Sequence, residues 1–405
     1  MNEVHEFGTI VLLVAAGFAL AVATSTFSER FSIPGPAIFL LAAAVASDVF
    51  SGLGDALAIR EVERIGVVAL IVILFDGGAR IGIRRLRAAA VPIVSLGVLG
   101  TFATAGLATV AAHYLLDFSW ITAGLIGAAI APTDPAVMFS VLGKREVSGR
   151  TGTILEGESG VNDPVGIALM IGMIEMATHD DAGFGTVISE FLLEITVGLA
   201  VGAVGAYGLI VLMRHVRLSS VGLYPIRTLA GAAVIYGVAS ALHGSGFLAV
   251  FLAGLVVGDV RAPYTQDVER FMTSLSSLAE IAVFVALGLT IDLTSFDRSW
   301  WVNGIVLSML LALVIRPLVV AGLLVPARLH LGERVFVMWG GLKGAVPIFL
   351  AAFAVLAGVD DAQQIYAIVF VVVALSVLLQ GSSIPIAAAR LGVPMRVVQQ
   401  PFEET

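Results

Sequence analysis

The sequence predicts an all-α polytopic membrane protein of about 13 transmembrane helices, N-terminus out and C-terminus in. Three observations carry this. Of 405 residues, 59% are hydrophobic and only 13% charged, which lies outside the usual balance of a water-soluble chain. Apolar runs able to cross a bilayer, about 20 residues each, recur along the whole length. Basic residues fall almost wholly in alternate connections between those runs.

The runs cover residues 9–27, 33–51, 62–79, 88–114, 119–142, 152–177, 187–213, 223–242, 246–260, 271–292, 301–326, 335–358 and 363–389. The odd-numbered connections and the C-terminal tail hold Arg30; Arg80, Arg84, Arg85 and Arg87; Lys144, Arg145 and Arg150; Arg214, Arg217 and Arg227; Arg261 and Arg270; Arg328 and Arg334; Arg390 and Arg396. The even-numbered ones hold Arg60, Arg64 and Arg298. Positive charge is retained on the cytoplasmic side, so the alternation sets the orientation, and moving one span would destroy it. The opening Met1 to Glu6 is acidic and shows neither the basic start nor the small-residue site of a cleaved signal peptide. There is no cysteine, hence no disulfide framework, thiolate metal site or thiol nucleophile. No long hydrophilic stretch divides the spans, so a single transmembrane domain over 1–405 is expected, without a soluble regulatory domain.

Two spans are interrupted. Pro132-Thr133-Asp134-Pro135 breaks the fifth, and Gly340-Gly341-Leu342-Lys343-Gly344-Ala345-Val346-Pro347 breaks the twelfth. Proline removes ladder donors and steers the preceding residue from helical angles, and the freed groups cannot be satisfied by lipid. Broken helices at matching places in two halves point to a transporter site at the midplane, and the odd offset of seven spans makes the two repeats inverted.

The sixth span carries Glu158-Ser159-Gly160-Val161-Asn162-Asp163-Pro164. Asp163 lies about 16 Å into a helix starting near residue 152, close to the bilayer centre, where charge marks ion or proton pathways. Ser159 and Asp163 share one helical face; Glu158 and Asn162 share another, about 100° away. Carboxylate, hydroxyl and carbonyl oxygens replace the water of a hard cation, and a carboxylate can take a proton when the cation leaves. The two basic residues inside spans, Arg316 and Lys343, are candidate partners for the buried acids. Arginine offers bidentate geometry to a carboxylate, so we assign Glu158 to Arg316 and leave Asp163 as the titrating carrier. Lys343 is expected to neutralise the carbonyl ends of the broken twelfth helix.

These motifs, with Arg316-Pro317 and Leu74-Phe75-Asp76-Gly77-Gly78, resemble those of the monovalent cation/proton antiporter superfamily. The similarity is to its prokaryotic Asn-Asp branch, the NhaP-type Na+/H+ or K+/H+ antiporters, and it runs over essentially the whole chain. The resemblance implies a core around 119–177 and 301–389 moving against a scaffold of the remaining helices, a homodimer, and residence in the inner cell membrane. It implies cation ligation by Asp163, Ser159, Asp134, Glu158 and the Thr133 carbonyl, with Asn162 and Arg316 in support. Glu158 thereby receives two roles, ligand and ion-pair partner, and its helical phase favours the second. Asn162 in place of a second Asp implies one cation per proton, an electroneutral exchange. No cofactor is implied beyond the transported K+ or Na+ and H+; the motifs lean to potassium. Lys343 departs from the branch, where arginine is common, and the regulatory domain that follows the last helix in many relatives is not in this sequence.

Other functions fit less well. Gly52-Leu53-Gly54-Asp55 matches the GxGD of intramembrane aspartyl proteases, but Asp55 falls in a short external loop without a second aspartate. Gly157-Glu158-Ser159-Gly160 is followed by Val161, so GxSxG is not met and no enzyme is expected. A channel would need a repeated filter. A sodium-coupled organic-anion symporter of related fold is the alternative, opposed by the acidic centre. Elsewhere, Asp76 is expected as a solvated helix cap, Glu156 at a cytoplasmic cation funnel, His243 in an external turn, and Glu280 as a mid-span acid without an evident partner.

Overall fold

Backbone polar groups in hydrocarbon must be satisfied within the chain, which restricts a chain of this composition to helices. The computed structural model describes residues 34–50, 57–142, 145–179 and 183–397, and among them every regular element except one short strand pair is helical. The first predicted span and Asp55 lie outside the described residues.

The helices are α1 (Gly35–Val49), α2 (Ile59–Ala88), α3 (Ala90–Leu116), α4 (Trp120–Ile130), α5 (Pro135–Leu142), α6 (Gly149–Thr178) and α7 (Phe184–His215). They continue as α8 (Leu223–Ala241), α9 (Gly246–Gly258), α10 (Thr265–Leu289), α11 (Arg298–Leu323), α12 (Leu331–Trp339), α13 (Ala345–Leu356) and α14 (Ala362–Arg390). Among the described residues, 7 helices are long and apolar enough to cross a membrane, and shorter apolar helices include α1, α4 and α9. The fold is that of a polytopic membrane protein. The fifth predicted span resolves into α4 and α5 around Ala131–Asp134, and the twelfth into α12 and α13 around Gly340–Gly344.

Helix α2 corrects the predicted end of the third span at residue 79. Its chain kinks at Gly82 (φ 71, ψ 152) and resumes helix to Ala88. Positive φ is open to glycine at little cost, and the Arg84 amide then donates to Asp259 Oδ2 at 2.8 Å, fixing the bend. The apolar run stops near this kink while the helix does not. Asp76, read as a solvated cap, is therefore mid-helix and only 4% exposed.

Among the described residues, three helices contain a π-helical stretch: Ser95–Gly100 in α3, Leu311–Ile315 in α11 and Ser376–Gly381 in α14. Such stretches shift the ladder by one residue and concentrate at functional sites. The stretch in α3 lies against α6, where a side chain at Gly97 would collide with Val161; that in α11 ends at Arg316. Helix α6 is the axis of this region. It packs on α2, α3, α4 and α7, and is buried from Asn162 to Met170.

At the arginine-rich end, strand β1 (Arg145–Val147) pairs antiparallel with β2 (Met395–Val397), with Glu146 opposite Arg396. The Glu146–Arg396 ion pair (2.6 Å) and the bond from Ser148 N to Pro394 O (2.8 Å) tie the tail to the start of α6. A cavity of about 570 Å³ opens beside this strand pair, lined by Arg85, Arg150, Arg396 and Glu156 among others. Glu156, expected at a cytoplasmic cation funnel, lines this cavity together with those arginines.

Candidate functional site

The predicted site residues converge where α6 passes the two broken helices. Thr133, Glu158, Ser159, Asn162, Asp163, Arg316 and Lys343 are all buried, each at most 7% exposed. Asp163 stands fourteen residues into the 30-residue α6, about 21 Å along an axis of about 45 Å, so its depth is central.

The charges divide by partner. Arg316 grips both oxygens of Glu158: Nη1 on Oε1, and Nη2 on Oε2 at 2.8 Å. Its Nη2 also reaches the Val337 carbonyl at 3.3 Å, so one guanidinium joins α11, α6 and α12. With Gly341 lacking a side chain, the guanidinium can lie against the second break; a Cβ there would come within 2.5 Å of Arg316 Nε.

Lys343 does not serve its own helix. Nζ donates to the Ala131 and Pro132 carbonyls, both at 2.8 Å, which form the C-terminal end of α4. The expected target, the carbonyl end of α12, is corrected. A cation is favoured at the negative end of a helix dipole, and the crossing of the two breaks puts α4's end, not α12's, within reach of the side chain. The Lys343 amide is held in turn by Ser376 Oγ (3.0 Å), which bonds Gln380 Oε1 (2.8 Å).

Asp134 makes the reciprocal arrangement. Its amide donates to Leu342 O at 2.8 Å, and its carboxylate lies against Gly344, the residue capping the N-terminus of α13. Any side chain at 344 would overlap that carboxylate. An anion at a helix N-terminus is favoured by the dipole and the unpaired amides. Each break therefore supplies the charge that the other's half-helix calls for.

On α6, Asn162 Nδ2 donates to Thr133 Oγ1 at 2.7 Å, fastening the helix to the first break. The Thr133 hydroxyl is thereby engaged. Asp163 differs from every other acid here: its Oδ1 is buried and has no hydrogen-bond partner among the described residues. Asp134 and Lys343 are the charges that act on it. Pro164 adds a further acceptor, since it cannot donate to the carbonyl four residues earlier.

Sequence reasoning missed Ser376, Gln380 and the burial of Asp76. The signal for the first two was present, two polar side chains four apart in an apolar run. Asp76 pairs with Arg80 (2.7 Å) and accepts from Thr273 of α10 (3.3 Å). Glu280 stays apart from the core constellation on α10, and its buried Oε1 lacks a hydrogen-bond partner among the described residues.

Comparison with known proteins gives a family, two relatives and a similar fold. The family described as "Sodium/hydrogen exchanger, transmembrane" matches residues 14–390. The chain is 33% identical over 383 residues to the K(+)/H(+) antiporter NhaP of Alkalimonas amylolytica, covering 93% of this chain and 66% of that protein. It is 33% identical over 393 residues to the K(+)/H(+) antiporter NhaP2 of Shewanella sp. (strain ANA-3), covering 96% and 67%. The chain thus spans about two thirds of the length of these relatives. In fold it is similar to the sodium proton antiporter MjNhaP1 of Methanocaldococcus jannaschii, with a TM-score of 0.81 at 23% identity, over 93% of this chain and 100% of that one.

Proposed function

The chain belongs to the sodium/hydrogen exchanger family, and we propose that it is a secondary active antiporter exchanging protons for monovalent cations at Asp163. One observation carries the reading. Of the acids at the crossing, Glu158 is consumed by Arg316 and Asp134 rests on the α13 terminus, whereas Asp163 presents a buried oxygen with no hydrogen-bond partner among the described residues. Leaving a carboxylate so placed is costly unless a proton or cation occupies it.

In this mechanism a partly dehydrated cation meets Asp163, Ser159, the Thr133 carbonyl and Asp134. Proton and cation compete for one carboxylate, so only one loaded form crosses at a time. The core around 119–177 and 301–389 moves against the scaffold by alternating access, exposing Asp163 to each side in turn. The arginine-rich end is cytoplasmic, the N-terminus outside and the C-terminus inside. In this mechanism the scaffold helices form the interface of a homodimer. Inverted repeats are supported by the broken fifth and twelfth spans and by the π-helical stretches in the fourth and eleventh. The relatives named K(+)/H(+) antiporters incline the choice of cation to potassium.

The test is proton flux in everted vesicles with lithium, sodium, potassium or rubidium added separately. Flux with K+ or Na+ is expected, and Asp163→Asn should abolish it; exchange surviving that change would refute the carrier assignment.

A further inference from the structure

The cavity of about 570 Å³ at the arginine-rich end takes no part in the exchange site, and several elements build its wall. Arg85 comes from the last turn of α2, Val147 from β1, Arg150 and Glu156 from α6, and Arg396 from β2. On α6 the lining residues Gly149, Gly152, Thr153 and Glu156 fall at i, i+3, i+4 and i+7, a single stripe along the wall. Glu156 is seven residues beyond Gly149, about 10 Å farther along the axis. Its carboxylate is thus set back from the start of the helix, where Arg150 stands.

Charge in this wall is unbalanced. Arg150 donates Nη1 to the Ala327 carbonyl at 2.9 Å and Arg396 pairs with Glu146 at 2.6 Å, whereas Arg85 has no hydrogen bond or ion pair among the described residues. Three arginines against Glu156 and Glu146 leave one positive charge. The start of α6 adds to it: Ser148, the N-cap residue, makes no side-chain bond to the helix, the first turn holds no acid, and the dipole there is worth about half a charge. The arginines, not Glu156, therefore set the sign of the wall, and it favours an anion over a cation. Guanidinium forks match the oxygens of a phosphate group in bidentate fashion, and basic pockets between membrane helices take lipid headgroups. The volume falls within the range of small-molecule pockets, about 300–1,000 Å³, so a phosphate can enter with the group it is esterified to. We propose that this cavity binds a phosphate group, carried by an anionic lipid headgroup or free in solution, with Arg85, Arg150 and the amides that open α6 as its donors. The site is separate from the crossing and does not rest on the exchange reading.

The test titrates purified full-length protein with radiolabelled inorganic phosphate in zwitterionic nanodiscs, and with phosphatidylglycerol in detergent read by native mass spectrometry. Saturable binding of at least one probe is expected: phosphatidylglycerol alone assigns the headgroup as the source, inorganic phosphate the free anion. Arg85→Gln should weaken binding about tenfold, as loss of one charged contact does, and Arg85→Lys should recover part of it, since a point charge replaces the fork. Ala88→Glu sets a carboxylate into the wall and should weaken binding as well. Arg87→Gln removes the same charge from the same turn of α2 but outside the lining, and should leave binding unchanged. Melting curves check each variant, and if Arg85→Gln does not fold, Ala88→Glu decides. Absence of saturable binding by either probe overturns the proposal. So does equal weakening by Arg85→Gln and Arg87→Gln, which would mean attraction to surface charge alone. Binding is read here without flux, so a protein that binds the probe but shows no cation-driven flux would overturn the exchange reading and support this site.

Discussion

Replacing Arg316 by methionine isolates what holds the crossing together. Arg316 and Glu158 are 4% and 1% exposed, and the pair is bidentate with a third contact to Val337 O. At an effective dielectric near 20, unit charges about 4 Å apart attract by about 4 kcal/mol. Against this stands the desolvation of both ions, which in buried pairs offsets most of the gain. The single change therefore does more harm than the pair does good: it strands a sealed carboxylate and should cost about 3–5 kcal/mol. Glu158→Met alone should cost a similar amount by stranding the guanidinium. The double variant strands nothing, so it should return to within about 1–2 kcal/mol of the unmodified protein. The assay is reversible unfolding in mixed micelles read by tryptophan fluorescence, arranged as a double-mutant cycle. Flux in the double variant then separates scaffold from ligand. Retained exchange is expected if Glu158 is structural. A coupling near zero, or a double variant as unstable as the sum of the singles, would refute the pairing argument; a stable but inactive one would restore Glu158 as a ligand.

Gly344→Ala should depress exchange strongly, since its Cβ overlaps the Asp134 carboxylate; overpacking of this kind costs about 1–3 kcal/mol, and flux with a melting curve tells displacement of Asp134 from unfolding. Lys343→Met removes the donor to the Ala131 and Pro132 carbonyls and should lower stability by about 1–3 kcal/mol per stranded acceptor; Lys343→Arg should not rescue it fully, because a planar fork cannot reproduce a point donor in that buried space. Asp292, in the loop after α10, accepts from the Thr294 hydroxyl and from the Thr294 and Ser295 amides, and the Thr294 bond foremost holds its carboxyl below the usual range. With the folded value depressed, the carboxylate stabilises the fold above the ordinary carboxyl range, near pH 4, and the gain is lost as pH falls through the depressed value. Asp292→Ala should therefore melt lower than the unmodified protein at neutral pH, with the gap closing in acid.

How far the site could be read from sequence depended on the energy of misplacement. Charge at bilayer depth is so costly that Glu158, Arg316 and Asp163 had few permitted arrangements, and helical phase sorted them before any coordinates. The destination of Lys343 was not legible in this way. Both candidate carbonyl ends lie in broken helices, and only their crossing in space decides that α4 receives the ammonium. Asp76 was misplaced because the apolar run stops near Gly82 while the helix, using that glycine's positive φ, continues to Ala88. Ser376 and Gln380 are neutral, so their presence in an apolar span raised no electrostatic alarm. The break positions themselves were plain, since proline and glycine act on the backbone locally.

Counting charge at the crossing gives the exchange its arithmetic. Arg316 and Lys343 supply two positive charges; Glu158, Asp134 and Asp163 supply three negative ones. The surplus is one negative charge: Glu158 is paired with Arg316, Asp134 lies at the terminus of α13, Lys343 meets the α4 carbonyls, and Asp163 is the carboxylate whose buried Oδ1 has no hydrogen-bond partner among the described residues. In the exchange we propose, neutrality at bilayer depth requires one cation or one proton, not both, the condition for one-for-one exchange. Asn162 keeps the count at one by contributing a dipole, spent on Thr133, where an aspartate would add a charge. Imposed membrane potential should accordingly leave the exchange rate unchanged in proteoliposomes; a clear response to potential alone would refute one-for-one exchange.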